Sequence, residues 1–291
     1  ASEGTALLHA LAGALGGCLS LTATFPLSVL TTRRQANEEE ITMTMTQQIN
    51  KIISSEGGQA LYKGWYSAMV GNAATQAAYY YFYELFNKMA AKQASGRALH
   101  VTENIIVSSL AGCMTALLTN PIWIITVRQQ QSKEKTSTFA TLSSLIQQEG
   151  IFALWKGIMP ALVLVLNPVI QYSVFERAKL RLLAWKGTKN ITGVELFVLG
   201  ALSKLAATIA TYPYIVVKTR LQVRKREEQE DSKYQSMMQS FETIMEGEGI
   251  LGLYKGFSAK AIQSVLTSAL LFILKEKIVI VLILLLSKKK K

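Results

Sequence analysis

Two short patterns recur three times in this chain of 291 residues, at nearly constant spacing. One is Glu-Gly, four residues, then aromatic-Lys-Gly: Glu56-Gly57 to Tyr62-Lys63-Gly64, Glu149-Gly150 to Trp155-Lys156-Gly157, and Glu248-Gly249 to Tyr254-Lys255-Gly256. The closing glycines are 93 and 99 residues apart. The other is a proline, Pro26, Pro121 or Pro213, standing 28 to 35 residues ahead of the Glu and followed seven positions later by Arg33, Arg128 or Arg220. Two coupled marks at one period make the chain three tandem units. The expected boundaries are 1–99, 100–190 and 191–291, together one integral transmembrane domain.

The missing charges say what the units are made of. No Asp, Glu, Lys or Arg occurs from Gly4 to Thr32, from Gly64 to Tyr83, from Asn104 to Val127, or from Gly157 to Phe175. A helix crosses a bilayer core with about 20 apolar residues. Two further stretches, Leu196 to Val217 and Gly256 to Leu274, are interrupted only by Lys204 and Lys260. The expectation is an all-α membrane protein of six transmembrane helices, two per repeat, because Pro and Gly are tolerated inside such helices. A soluble helical bundle is the alternative that these charge-free lengths disfavour.

Within each repeat the polar connection has apolar residues at helical spacing: Thr46 to Ser55, Phe139 to Gln148 and Tyr234 to Glu246. These read as short amphipathic helices on the membrane surface, each closing at the Gly of its Glu-Gly pair.

The repeated proline and the Glu-Gly-x4-aromatic-Lys-Gly together resemble the double motif of the mitochondrial carrier family, over essentially the whole chain. The resemblance implies six tilted helices kinked at Pro26, Pro121 and Pro213, threefold pseudosymmetry, and alternating access to a central cavity. A narrower set, Asn120-Pro121-Ile122-Trp123, Asn167-Pro168-Val169-Ile170-Gln171-Tyr172, Ser203-Lys204 and Tyr212 to Arg220, is similar to the peroxisomal branch of that family, whose members carry adenine nucleotides and in some cases NAD or coenzyme A.

In the family an acid two positions after the proline and a base five after it lock three helices by ion pairs. Here the acid positions hold Ser28, Trp123 and Ile215, and the base positions Thr31, Thr126 and Lys218. That ring cannot form. Gln35, Gln130 and Gln222, nine after each proline, match the family's brace position, and the resemblance implies a gate held weakly by uncharged hydrogen bonds. For the opposite gate, Phe175-Glu176-Arg177-Ala178-Lys179 matches the family's aromatic-acidic-x-x-basic motif, while Glu84 with Lys88, and Lys275 with Glu276, match with an offset.

Lys204 is an intramembrane cation, and such a charge is a functional-site candidate because hydrocarbon penalises it by at least about 2.5–3.5 kcal/mol. At about 100° per residue it lies within about 20° of Ile215 and about 40° of Lys218, gate positions that the family turns toward its cavity, so the resemblance implies that it faces water and binds the solute. A structural pairing with a carbonyl or carboxylate is the competing role. The family's contact positions on the even helices are here Gly71-Asn72, Leu164-Val165 and Gln263-Ser264. Phosphate recognition then falls on Lys204, Lys218 and Lys260. In the run Tyr79 to Tyr83 only Tyr79 and Tyr83 share the face of Gly71 and Thr75; contact of Tyr79 with adenine is set against packing or lipid contact.

Catalysis is not expected. His9, His100, Cys18 and Cys113 supply neither a zinc cluster of ordinary spacing nor a nucleophile-histidine pair, and no P-loop is present. No metal or cofactor is expected. A net charge of +12 suits an anionic solute, but Lys and Arg divide almost evenly between the two sides, so orientation stays open. The basic loop Lys179, Arg181, Lys186, Lys189 resembles internal targeting signals of peroxisomal membrane proteins, with lipid-headgroup contact as the alternative. Ala1 to Leu8 does not read as a cleavable signal.

The expectation is thus a monomeric carrier in the peroxisomal membrane, with the mitochondrial inner membrane as alternative, exchanging ATP against AMP or ADP. Its partners are an anionic nucleotide and the bilayer, not nucleic acid. A carrier of NAD, coenzyme A, FAD or folate is the neighbouring alternative; a carrier-derived scaffold or a proton leak channel is the alternative of another class.

Overall fold

The computed structural model describes residues 3–36 (side chains from 15 onward), 43–93 (side chains to 92), 100–133, 136–187, 190–223 and 237–267, and residues 270, 274, 277 and 278. Among the described residues every regular element is a helix. In chain order they are α1 (Glu3–Ala36), α2 (Met45–Glu56), α3 (Trp65–Gln93), α4 (Val101–Gln131), α5 (Thr138–Glu149), α6 (Ile158–Leu164), α7 (Asn167–Lys186), α8 (Gly193–Val223) and α9 (Met237–Gly252), with 3-10 turns at Gly58–Tyr62 and Ile151–Trp155. Residues 257–267 form a further helical stretch.

Among the described residues four stretches are long and apolar enough to cross a membrane: Leu15–Ala36, Val101–Gln131, Ile151–Lys186 and Gly193–Val223. α3 is helical over its expected length but is not among them. Ser67, Asn72, Thr75, Gln76 and five tyrosines dilute its hydropathy, although it contains no charge before Glu84. The third of these stretches is not one helix. α6 ends at Leu164 and α7 starts at Asn167 with Pro168 in its first turn, which splits the expected span Gly157 to Phe175.

The burial pattern is that of a protein solvated by hydrocarbon. Ser20, Thr24, Thr115, Thr119, Asn120 and Thr211 are buried, while Leu19, Leu118, Phe197 and Leu202 are exposed. Most of the buried hydroxyls return to their own helix: Thr24 Oγ1 donates to Ser20 O, Thr115 to Ala111 O, Thr119 to Thr115 O and Thr211 to Ala207 O.

The chain divides into two compact units. In the unit of residues 1–65, 129–135 and 256–291, the short α2 packs on α1 through Leu30, Ile52 and Ala60. Thr44 and Gln47 close a reciprocal capping box at its start, and Gly57 ends it at φ +81°, a conformation that favours glycine. In the unit of residues 66–128 and 136–255, α5 packs on α4 through Ile124, Leu145, Ala153 and Leu154. Ser137 caps α5, and Gly150 ends it at φ +82°. In α9 the helix proper stops at Gly249, where φ is +66°.

Pro26, Pro121 and Pro213 lie inside α1, α4 and α8. A proline has no N–H, so the carbonyl four residues earlier loses its helical partner. The aromatic residue of the repeated motif replaces it. Trp155 Nε1 donates to Leu117 O at 2.9 Å, and the Tyr254 hydroxyl donates to Ile209 O at 3.3 Å. In the first repeat Tyr62 stacks on Phe25 instead, with ring centroids 6.2 Å apart, and Trp65 Nε1 reaches the Thr22 hydroxyl at 3.0 Å.

Candidate functional site

The two sequence marks of each repeat meet as one charge cluster. Arg33 makes a two-pronged contact with Glu56, 2.6 and 2.9 Å, and Lys63 Nζ joins the same carboxylate at 2.7 Å. Arg128 grips Glu149 at 3.0 and 3.1 Å, with Lys156 at 2.6 Å. Arg220 grips Glu248 at 2.8 Å through both nitrogens, and Lys255 pairs with the same carboxylate. Forked arginine-carboxylate pairs fix geometry as well as charge. The Arg33 guanidinium, ahead of the Lys63 ammonium, outweighs burial and holds the Glu56 carboxyl down at about 2. Sequence reading passed over these clusters, although six cations and three acids at fixed places in a charge-poor chain were the available signal.

The remaining guanidinium nitrogen of two of these arginines ties neighbouring repeats. Within the first unit, Arg33 Nε donates to Gln130 O at 2.9 Å, and Gln131 Nε2 donates to Thr32 O at 2.7 Å. Within the second, Arg128 Nε donates to Gln222 O at 2.6 Å, and Gln222 Nε2 approaches Asn120 Oδ1 at 3.4 Å. Gln35, Gln130 and Gln222 are all buried. The hydroxyls at the base positions make no such ties. Thr31 Oγ1 donates to Leu27 O and Thr126 Oγ1 to Ile122 O, inside their own helices. Ser28 and Ile215 are half-buried.

Trp123 is anchored across to α3: its Nε1 donates to Thr75 Oγ1 at 3.1 Å, and its ring sits over Gly71. A Cβ on Gly71 would lie 3.3 Å from Ile122 and 3.6 Å from Trp123, so a side chain there pushes the two helices apart.

Beside this contact, in the second unit, lies a cavity of about 340 Å³ lined from α3, α4, α6, α7 and α8. Tyr79 and Trp123 give it aromatic walls; Thr75, Ser108, Ser109, Thr115 and Thr119 line it with hydroxyls; Lys218 is the cation among its described lining residues. Leu164 and Val165 lie at the break between α6 and α7 and also line it. Of the candidate solute contacts, the cavity thus brings together Tyr79, Leu164, Val165 and Lys218.

The others stand elsewhere. Gly71 is packed against α4, and Asn72 is exposed with its amide donating to Ala68 O at 2.9 Å. Lys204 is exposed on α8. At about 1.5 Å per residue it lies roughly 21 Å along the helix from Lys218. Gln263 and Ser264 belong to the first unit, where Gln263 is buried and its side-chain oxygen lies 3.4 Å from Lys260 Nζ. Of the opposite gate, Glu84 pairs with Lys88 at 3.2 Å and Glu176 with Lys179 at 3.8 Å, each within one helix; Lys275 and Glu276 lie outside the described residues.

The sequence pattern described as mitochondrial carrier protein matches residues 2–94, 97–184 and 189–284. The chain is 33% identical to the peroxisomal nicotinamide adenine dinucleotide carrier of Arabidopsis thaliana, over 94% of this chain and 95% of that protein. It is 31% identical to the peroxisomal membrane protein PMP34 of Mus musculus, over 94% and 92% of the two chains. With the peroxisomal adenine nucleotide carrier 1 of Glycine max it shares 32% identity over 94% and 90%.

Proposed function

The chain belongs to the mitochondrial carrier family, a transporter and not an enzyme, and from that premise we propose that it exchanges ATP against AMP or ADP across the peroxisomal membrane, as a six-helix, three-repeat carrier. The observation that carries the reading is the cavity with Lys218, five hydroxyls, Tyr79 and Trp123. A polyphosphate takes the ammonium, and ribose and a neutral base take the hydroxyls and the rings. Citrate or inorganic phosphate offers charge but no flat base for the rings, and no ribose or base amino group to donate to the hydroxyl oxygens, whose own protons at Thr75, Ser108, Thr115 and Thr119 already go to helix carbonyls.

Lys204 and Lys218 are too far apart along α8 for one triphosphate, so they act at successive stations: Lys204 at an exposed one and Lys218 in the cavity. Reconstituted vesicles preloaded with AMP or ADP are expected to take up labelled ATP faster than vesicles preloaded with citrate, malate or phosphate. Faster exchange of dicarboxylates overturns the nucleotide reading. A second reading, NAD as the solute, is favoured by the similarity to the Arabidopsis carrier, and faster uptake of NAD than of ATP in the same assay selects it.

A further inference from the structure

A second concavity lies on α7 and α8, outside the candidate solute site. It has a volume of about 560 Å³ and is lined by Val174, Arg177, Ala178, Arg181, Leu182, Trp185 and Leu199. Its floor is aliphatic and its charges are two arginines one helical turn apart. At about 100° per residue, Arg177 and Arg181 stand roughly 100° and 140° around α7 from Glu176, whereas Lys179 stands roughly 60° away on the other side. The groove therefore faces away from the Glu176–Lys179 pair.

The local carboxylates are already engaged. Glu176 pairs with Lys179, and Glu195 at the start of α8 pairs with Lys186 at the end of α7. Among the described residues neither Arg177 nor Arg181 has an ion-pair partner, and both are exposed. Two guanidinium groups with no carboxylate partner among the described residues, beside an apolar trough at the end of an apolar stretch that closes at Lys186, suit an anion with a hydrocarbon tail. Trp185, 83% exposed, has the position of an interfacial aromatic.

The geometry points to a binding site for one anionic phospholipid, its phosphate held by Arg177 and Arg181 and an acyl chain lying along Val174, Ala178, Leu182 and Leu199. A planar guanidinium is suited to gripping phosphate oxygens in pairs. The assignment does not depend on which solute the protein carries.

The test uses the full chain in mild detergent, with native mass spectrometry to count bound phosphatidic acid and thermal unfolding to follow its effect. The wild type is expected to retain one phosphatidic acid and to gain thermal stability from it but not from phosphatidylcholine. A basic side chain near the surface contributes about fivefold, so Arg177→Gln with Arg181→Gln is expected to weaken retention by about 25-fold. Arg177→Lys with Arg181→Lys keeps the charge and loses the fork, so it serves where the first pair fails to fold, and it is expected to weaken retention several-fold. Leu199→Asn is expected to weaken phosphatidic acid. Equal stabilisation by inorganic phosphate makes this a free-anion site and overturns the lipid assignment, as do undiminished retention in the Lys pair and equal retention of phosphatidylcholine.

Discussion

Individual side chains carry two separable tasks, holding the repeat together and meeting the solute. Glu56 belongs to the first. Its pKa is depressed in the folded protein, to about 2 against an ordinary value of 4.5, so its contribution is present above about 4.5 and is lost as pH falls toward 2. The midpoint of thermal unfolding is expected to fall across that window, and Glu56→Gln is expected to remove that part of the pH dependence while lowering stability at pH 7, because Arg33 and Lys63 lose their shared anion. A mutant with the wild-type acid profile rejects the assignment. The proposed function gives Lys218, which lines the cavity, the second task. Hydrogen bonds to charged groups are worth about 1.5–3 kcal/mol, so Lys218→Gln is expected to lower ATP uptake roughly 10- to 100-fold with Lys218→Arg retaining more of it; equal uptake by all three proteins removes Lys218 from the site. The candidate contacts were legible only as residue types at family positions. Leu164 and Val165 line the cavity, but Gly71 and Asn72, the equivalent contact pair of the first repeat, are spent on helix packing and on a hydrogen bond inside α3. One-dimensional spacing gives a helix face; it does not say whether that face meets a neighbouring helix or open space.

At the scale of the element, periodic and local features were the ones the sequence displayed. Short surface helices ending at Gly57 and Gly150 follow from capping residues and a few apolar positions within one segment. The break between α6 and α7 was hidden, because a charge-free apolar run looks the same whether its helix continues or restarts at Asn167-Pro168. The role of the motif aromatic was hidden for another reason: its partner is a backbone carbonyl, which leaves no trace in residue identity. That role has a direct test in α4. Trp155→Phe removes the donor to Leu117 O and is expected to cost about 1 kcal/mol. In a Pro121→Ala background residue 121 regains an N–H for that same carbonyl, so the cost of Trp155→Phe is expected to shrink well below that value. Additive effects in this double-mutant cycle, measured by thermal unfolding, discard the carbonyl-replacement account.

The whole molecule combines a family-wide frame with an altered lock. Threefold recurrence was visible in the chain because each repeat carries the same charges, and those charges turn out to be the Arg-Glu-Lys clusters within each repeat. Where the family pattern places acids, Ser28, Trp123 and Ile215 make no ion pair, and Thr31 and Thr126 turn back into their own helices. Under the proposed alternating access, closure on the proline-motif side is therefore expected to lean on donors from the clusters themselves, Arg33 Nε to Gln130 O and Arg128 Nε to Gln222 O. Each such bond is worth about 1 kcal/mol net, which is about fivefold in an equilibrium between closed and open forms. Arg128→Lys keeps a cation beside Glu149 and deletes the Nε donor. Vesicles containing this variant and loaded with labelled ATP are expected to lose it in the absence of external nucleotide about fivefold faster than the wild type, while exchange against external AMP changes less, because exchange does not wait on the unloaded closed form. Unchanged unidirectional efflux at normal expression means that closure rests on other contacts; a parallel rise in both rates means that the substitution loosened the second unit as a whole and not its gate.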